Sequence, residues 1–228
     1  MKNLLIAVLY TTIFVVFLFT VTLAVPASAL SKEPPQISTV KITGRCLGTG
    51  SVVKSPSGKR LLISAAHVCA CAENKGKVLA SFSDGTTSSV RIIKKDWSAD
   101  LCAGAVSKNI TALSIANKVS YMEEVNTFSY PHGAYMESHG QVLDDMTWSH
   151  DFSIEEVKKC PVTPKSKVCR LTFTSTLTNL FGEPGSSGSP VMDDKGDMVG
   201  VITSWYGDNS FSAGMVPLDQ LKIFLEGL

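Results

Sequence analysis

Short runs rich in Val, Ile and Thr alternate with turns of Gly, Pro, Asp and Ser along most of the chain, the signature of strands joined by tight connections. Ser51-Val-Val53 and Leu61-Leu-Ile63 flank Ser55-Pro-Ser-Gly58, which predicts a hairpin. Val78–Phe82 and Val90–Ile93 around Asp84-Gly85 predict a second, and Val191 with Met198–Ile202 around Asp193-Asp-Lys-Gly196 a third. Thr172–Thr176 and Phe211–Val216 read as further strands. Amphipathic helical spacing is found only at the end, where Leu218, Leu221, Leu225 and Leu228 recur at three- and four-residue steps behind Asp219 as a capping residue. The pattern predicts an all-β, antiparallel barrel or sandwich with a short C-terminal helix.

The first residues break this pattern. Met1-Lys-Asn precedes an uncharged apolar stretch from Leu4 to Val25, and Pro26-Ala-Ser-Ala29 follows as an A-x-A-like cleavage site. A secretory signal peptide removed after Ala29 is one reading. The run of about 22 residues is also long enough to span a bilayer, so a retained membrane anchor through residues 4–25 is the other. Either reading sends the rest of the chain out of the cytoplasm, secreted or anchored. Residues 30–36, with Pro34-Pro35, read as a polar tether. Two β domains are expected beyond it, over residues 37–118 and 119–228.

Charge then narrows the functions. Beyond the leader the chain carries 20 basic and 20 acidic residues with no basic block, which argues against a nucleic-acid or anionic-membrane surface. Cys46, Cys69, Cys71, Cys102, Cys160 and Cys169 all lie in the exported part, so up to three disulfides are expected, with 15 possible connectivities. Cys160 and Cys169 bracket a hairpin loop and form the first candidate pair. Cys69-Ala-Cys71 beside His67 has the wrong spacing for a zinc site, and no metal or other cofactor is expected.

The chemistry concentrates in two stretches. His67 closes the small-residue run Ile63-Ser-Ala-Ala-His67, and Ser187 sits within Gly185-Ser-Ser-Gly-Ser-Pro-Val191. A serine hydroxyl needs a neighbouring base to become a nucleophile, and glycines let backbone N–H groups approach a developing oxyanion. A third group must hold the histidine tautomer. Asp100, at the start of a small and apolar run, suits that role better than Asp96 in the polar Lys94-Lys-Asp96. The order His67, Asp100, Ser187 is not that of α/β-hydrolases, and position 189 is serine where a G-x-S-x-G elbow requires glycine.

These residues resemble those of the trypsin-like (chymotrypsin-fold) serine proteases, nearest in style to the HtrA/Deg proteases and the staphylococcal glutamyl endopeptidases. The likeness rests on Gly48-Thr-Gly-Ser-Val-Val53 with Ile63–His67, and on Ser83-Asp-Gly85 through Asp100-Leu101. It continues in Tyr130-Pro-His-Gly133 with Gly140-Gln-Val142, then in Gly185–Val191 with Val199-Gly-Val-Ile202 and Phe211–Gln220. The resemblance implies two six-stranded barrels with the site in the cleft between them, and an endopeptidase acting on polypeptides through an acyl-enzyme. It further implies Ser187 as nucleophile, His67 as base, Asp100 as its orienting partner, and the N–H groups of Gly185 and Ser187 as the oxyanion hole. A catalytically inactive, protease-fold binding protein is the alternative, although such relatives usually lose the His or the Ser.

The departures matter too. Ser186 stands where secreted trypsins have the Asp that pairs with a freed N-terminus, so that mode of activation is not expected. After the terminal helix, a PDZ domain like that of the HtrA proteases is not expected. By the resemblance, His67-Val-Cys69 shifts by one residue the cysteine that follows the histidine in animal trypsins, implying a Cys46–Cys69 bridge with Cys71 and Cys102 left over. The primary specificity pocket is implied near Phe181, Ser204, Trp205, Tyr206 and Ser212, without a trypsin-like acid at its floor, which favours an apolar residue before the scissile bond. Glu183 would deter acidic substrates or stand as a solvated loop residue. His132, His139 and His150 are expected at the surface, and Trp97, Trp148 and Trp205 in packing roles, with Trp205 also placed to line the cleft. Asn109-Ile-Thr111 fits the N-glycosylation pattern.

Overall fold

A computed structural model of the chain describes residues 38–153, 168–206 and 210–228. Strands β1 (Thr39–Thr43), β2 (Gly48–Lys54), β3 (Arg60–Ala65), β4 (Lys77–Phe82), β5 (Thr87–Asp96) and β6 (Leu101–Ala105) close into a barrel in the order β1-β2-β3-β6-β5-β4. Strands β7 (Glu124–Ser129), β8 (Met136–Ser153), β9 (Val168–Thr178), β10 (Pro190–Met192), β11 (Met198–Trp205) and β12 (Ala213–Val216) form a second closed barrel. Read from β7, its order β7-β8-β9-β12-β11-β10 repeats that of the first. All pairings within both barrels are antiparallel. The fold is the all-β, twin six-stranded barrel that the resemblance implied.

Burial explains why the strands differ in pattern. In β4, Val78, Ala80 and Phe82 point into the first barrel while Lys77 and Leu79 face solvent, giving strict alternation. Strands β2, β3 and β11 are buried almost end to end because both of their faces are covered, and the polar residues within them, such as Thr49, Ser51 and Ser64, are buried too. Val52 and Leu62 fill the first barrel, whereas Val53, Leu61 and Ile63 join a third core between the barrels. On β11, Val199 and Ile202 fill the second barrel while Met198 and Val201 enter that shared core. Such two-faced burial turns alternation into a continuous run.

Helix α1 (Ala66–Ala72) follows β3, and α2 (Leu218–Glu226) ends the chain. The apolar spacing did locate α2: Leu221, Phe224 and Leu225 plug the shared core. Its cap differs from expectation. Pro217 occupies the N-cap position without a side-chain hydrogen bond, and Asp219 lies one residue inside the helix, in its first turn. Proline's fixed φ starts the helix there, and the Asp219 carboxylate faces the positive end of the helix dipole. The strand expected from Phe211 begins at Ala213.

The segment between the barrels is itself paired. Leu113 bridges Val53 of β2 in parallel, and Ile115 bridges Met198 of β11, also in parallel. Four backbone hydrogen bonds fix the two bridges: Lys54 N to Leu113 O, Leu113 N to Val52 O, Ala116 N to Met198 O and Met198 N to Ser114 O.

Candidate active site

Ala66, His67 and Val68 open α1 instead of forming a simple turn, and Asp100 organises that helix start. The Asp100 carbonyl accepts the Ala66 N–H at 2.9 Å. One carboxylate oxygen, Oδ1, accepts the His67 N–H at 3.0 Å, and the other, Oδ2, lies 2.7 Å from His67 Nδ1. The two contacts fix both the backbone and the ring of His67. Asp100 is buried and holds a left-handed φ of 51°, at the end of the turn after β5, so its main chain and side chain both face α1. Short polar side chains tolerate that conformation better than most. Asp96, the other carboxylate considered, spends Oδ1 on Ser98, accepting its N–H at 2.9 Å and its hydroxyl at 2.6 Å.

Two disulfides surround the same helix. Cys69 pairs with Cys102 of β6, two residues beyond Asp100, and Cys71 pairs with Cys46 in the β1–β2 connection. The implied Cys46–Cys69 pairing is therefore corrected. Residues two apart on a helix point about 200° away from each other, so Cys69 and Cys71 address opposite neighbours. Cys69 and Cys102 are fully buried, and Cys46 and Cys71 half-buried. Of the Cys160–Cys169 candidate pair, Cys160 lies outside the described residues, and Cys169 stands opposite Phe152 in the β8–β9 ladder.

Ser187 is buried in the loop that leads into β10 of the second barrel. Its hydroxyl rests 3.4 Å from the carbonyl of Thr203 on β11. Gly188 has φ 91°, and a Cβ there would lie 1.9 Å from the Thr49 carbonyl, so only glycine lets the loop approach β2 this closely. Ser186 turns its hydroxyl toward the loop itself, accepting the Glu183 N–H at 3.3 Å.

Phe181 lies on the segment that leads into β10, and Ser204, Trp205, Tyr206 and Ser212 lie at the end of β11 and on its connection to β12. Phe181 and Phe211 meet edge to face with ring centroids 5.5 Å apart. The Gly182 N–H donates to the Ser210 carbonyl, joining the loops before β10 and β12, and the Tyr206 N–H donates to the Ser212 carbonyl across the base of the β11–β12 loop. Gly182 packs against the Trp205 Cβ so closely that a side chain of its own would collide. Ser204 pairs with Gly214 at the adjoining end of β11.

Sequence reasoning missed the loop's supports. Thr49, and His132 within the turn Tyr130-Pro-His-Gly133, both bond its backbone, although both lie in stretches that carried the family resemblance. The side chains of His132 and His139 are largely exposed, as expected; that of His150 lies outside the described residues. Glu183 is neither free nor merely solvated. It accepts the Ser210 hydroxyl and lies 3.2 Å from His132 Nε2, and these bonds, Ser210 first, hold its carboxyl below the usual value.

Among curated proteins, no sequence matches the chain. Solved structures do share its fold. The active form of the Rv3671c protease from M. tuberculosis superposes with a TM-score of 0.66 at 22% identity, covering 89% of this chain and 87% of that one. The inactive form of the Rv3671c protease gives 0.65 at 20% identity, covering 85% and 89%. A serine endoprotease from Yersinia pestis gives 0.62 at 15% identity, covering 85% of this chain and 63% of that one. At these identities the likeness is one of fold. The sequence itself matches the trypsin-like peptidase domain over residues 48–201, from the start of β2 into β11. That span is most of the described protein, and by it the chain belongs to the trypsin-like peptidase family and is a trypsin-like serine endopeptidase.

Proposed function

We propose that the protein is an exported endopeptidase that cuts polypeptides through an acyl-enzyme on Ser187, with His67 as general base and acid and Asp100 as its orienting carboxylate. The observation that carries this reading is the double contact of Asp100 with the His67 backbone and ring. A ring held through Nδ1 leaves Nε2 to take the Ser187 proton as Oγ attacks the scissile carbonyl. The oxyanion formed is met by the N–H groups of Gly185 and Ser187. Collapse of the adduct breaks the C–N bond, and His67 returns the proton to the leaving amine. Water then repeats the sequence on the ester, releasing the acid and the Ser187 hydroxyl.

The aromatic pair Phe181–Phe211 beside the loop supports preference for an apolar residue before the scissile bond. Export is supported by the apolar leader and by two disulfides, bonds that persist in oxidising compartments. Fluorophosphonate labelling of the folded protein tests the chemistry. Labelling that disappears in Ser187→Ala is expected; no labelling of the parent, or equal labelling of the variant, refutes the reading. A peptide-library profile of protein expressed from Leu30 tests the preference, and cell fractionation tests export.

A further inference from the structure

Five consecutive carbonyls of the nucleophile loop are each held by a donor. Glu183 O accepts the Ser186 N–H at 2.8 Å, and Pro184 O accepts the His132 N–H at 2.8 Å. Gly185 O accepts the Thr49 hydroxyl at 2.7 Å, and Ser186 O accepts both the N–H and the hydroxyl of Ser189, at 3.0 and 2.6 Å. Ser187 O accepts the Thr49 N–H at 2.9 Å. In a trans peptide the N–H points opposite the carbonyl, so each anchor also aims the next residue's N–H. Those of Gly185 and Ser187 have no acceptor among the described residues.

Two of the five anchors come from one residue of the other barrel. Thr49 is fully buried, and the direction of its hydroxyl bond is unambiguous: the Tyr130 N–H can only donate to Oγ1, at 2.9 Å, so the hydroxyl hydrogen goes to Gly185 O. The Thr49 carbonyl in turn accepts the Ser64 hydroxyl at 2.6 Å, three residues before His67. The loop needs such outside anchors because Gly185 and Gly188, both at positive φ, bracket the nucleophile and leave the peptide planes between them easily turned. Thr49 grips the planes that follow Gly185 and Ser187, one on each side of the plane carrying the Ser187 N–H.

We propose that Thr49 is a positioning residue for the reaction, holding the nucleophile loop from the first barrel so that the Gly185 and Ser187 N–H groups stay aimed at the oxyanion. The inference rests on the reading of Ser187 as nucleophile and of these two N–H groups as its oxyanion hole.

The test compares Thr49→Val, Thr49→Ser and Thr49→Ala in the full chain, by fluorophosphonate labelling rate and by kcat and KM on a cleaved library peptide. Thr49→Val keeps the N–H and the side-chain shape but lacks the hydroxyl. Its labelling rate and kcat should fall about 10- to 100-fold, less than loss of a whole oxyanion donor, with KM within about twofold. Thr49→Ser should restore kcat to within about threefold of the parent. A valine variant with the parent kcat, a loss confined to KM, or a serine variant as slow as valine overturns the proposal. If near-ultraviolet circular dichroism finds Thr49→Val unfolded, serine against alanine decides: equal rates overturn it, and a faster serine supports it. Parent turnover in Ser187→Ala would instead overturn the underlying reading. A dead Ser187→Ala beside an unaffected Thr49→Val overturns the Thr49 proposal alone.

Discussion

The two barrels repeat one strand order yet secure the proposed catalytic residues by different means. Around His67 and Asp100 the holding is covalent: Cys69–Cys102 ties the histidine's helix to the strand that follows the aspartate, and Cys46–Cys71 ties the same helix to the β1–β2 turn. Around Ser187 the holding is a set of backbone hydrogen bonds, several of them made by Thr49 and His132 at a distance in sequence. The histidine must keep one orientation against Asp100, which a short rigid link supports. The loop of the proposed nucleophile keeps several peptide planes turned at once, and no single covalent link can do that.

The comparison is broken most severely at its chemical centre. Ser187→Ala should lower kcat about a million-fold while leaving the fold intact by circular dichroism. Asp100→Asn should lower kcat about ten-thousand-fold, and Asp96→Asn should leave it at the parent value, since Asp96 serves the Ser98 turn. The reverse outcome would move the orienting role to Asp96. Next come the disulfides. Closing a loop of sequence separation 33, Cys69–Cys102 should contribute about 3–4 kcal/mol, read from urea unfolding of the double alanine variant. Graded reduction followed by alkylation and mass spectrometry should open half-buried Cys46–Cys71 first, with activity retained, and Cys69–Cys102 only with loss of kcat.

Smaller effects test the second barrel. Gly188→Ala should cost at least about 1–3 kcal/mol in thermal unfolding, from its positive φ and the collision with Thr49. The smallest effect belongs to Glu183. Its carboxyl is held below the usual 4.5, so the stabilisation it gives is complete above that value and declines as pH falls through the lowered one. Unfolding midpoints of Glu183→Gln should therefore lie slightly below the parent at neutral pH and converge with it in acid.

How much of this was legible in the sequence follows from the range of each interaction. The hairpin β4–β5 was read from alternation around Asp84-Gly85, because turn and pattern are local. Helix α1 was not, since Ala66–Ala72 is one short run of small residues set by Asp100 from 33 positions away. His67, Asp100 and Ser187 stood out because their residue types and settings are chemically uncommon. Thr49 did not, because a threonine in an apolar strand reads as packing, and its partners Gly185 and Tyr130 lie 136 and 81 residues downstream. The cysteine pairing failed for a related reason: it depends on which way each residue of α1 faces.

The paired linker has a consequence for how the molecule comes apart. Leu113 and Ile115 carry a hydrogen-bonded ladder from β2 across to β11, over a core to which both barrels and α2 contribute. Neither barrel can open without stripping apolar cover from the other, so heat or denaturant should meet a single cooperative unit with one transition. A protease cut within the linker would sever the chain but not the ladder, and the nicked halves would stay together.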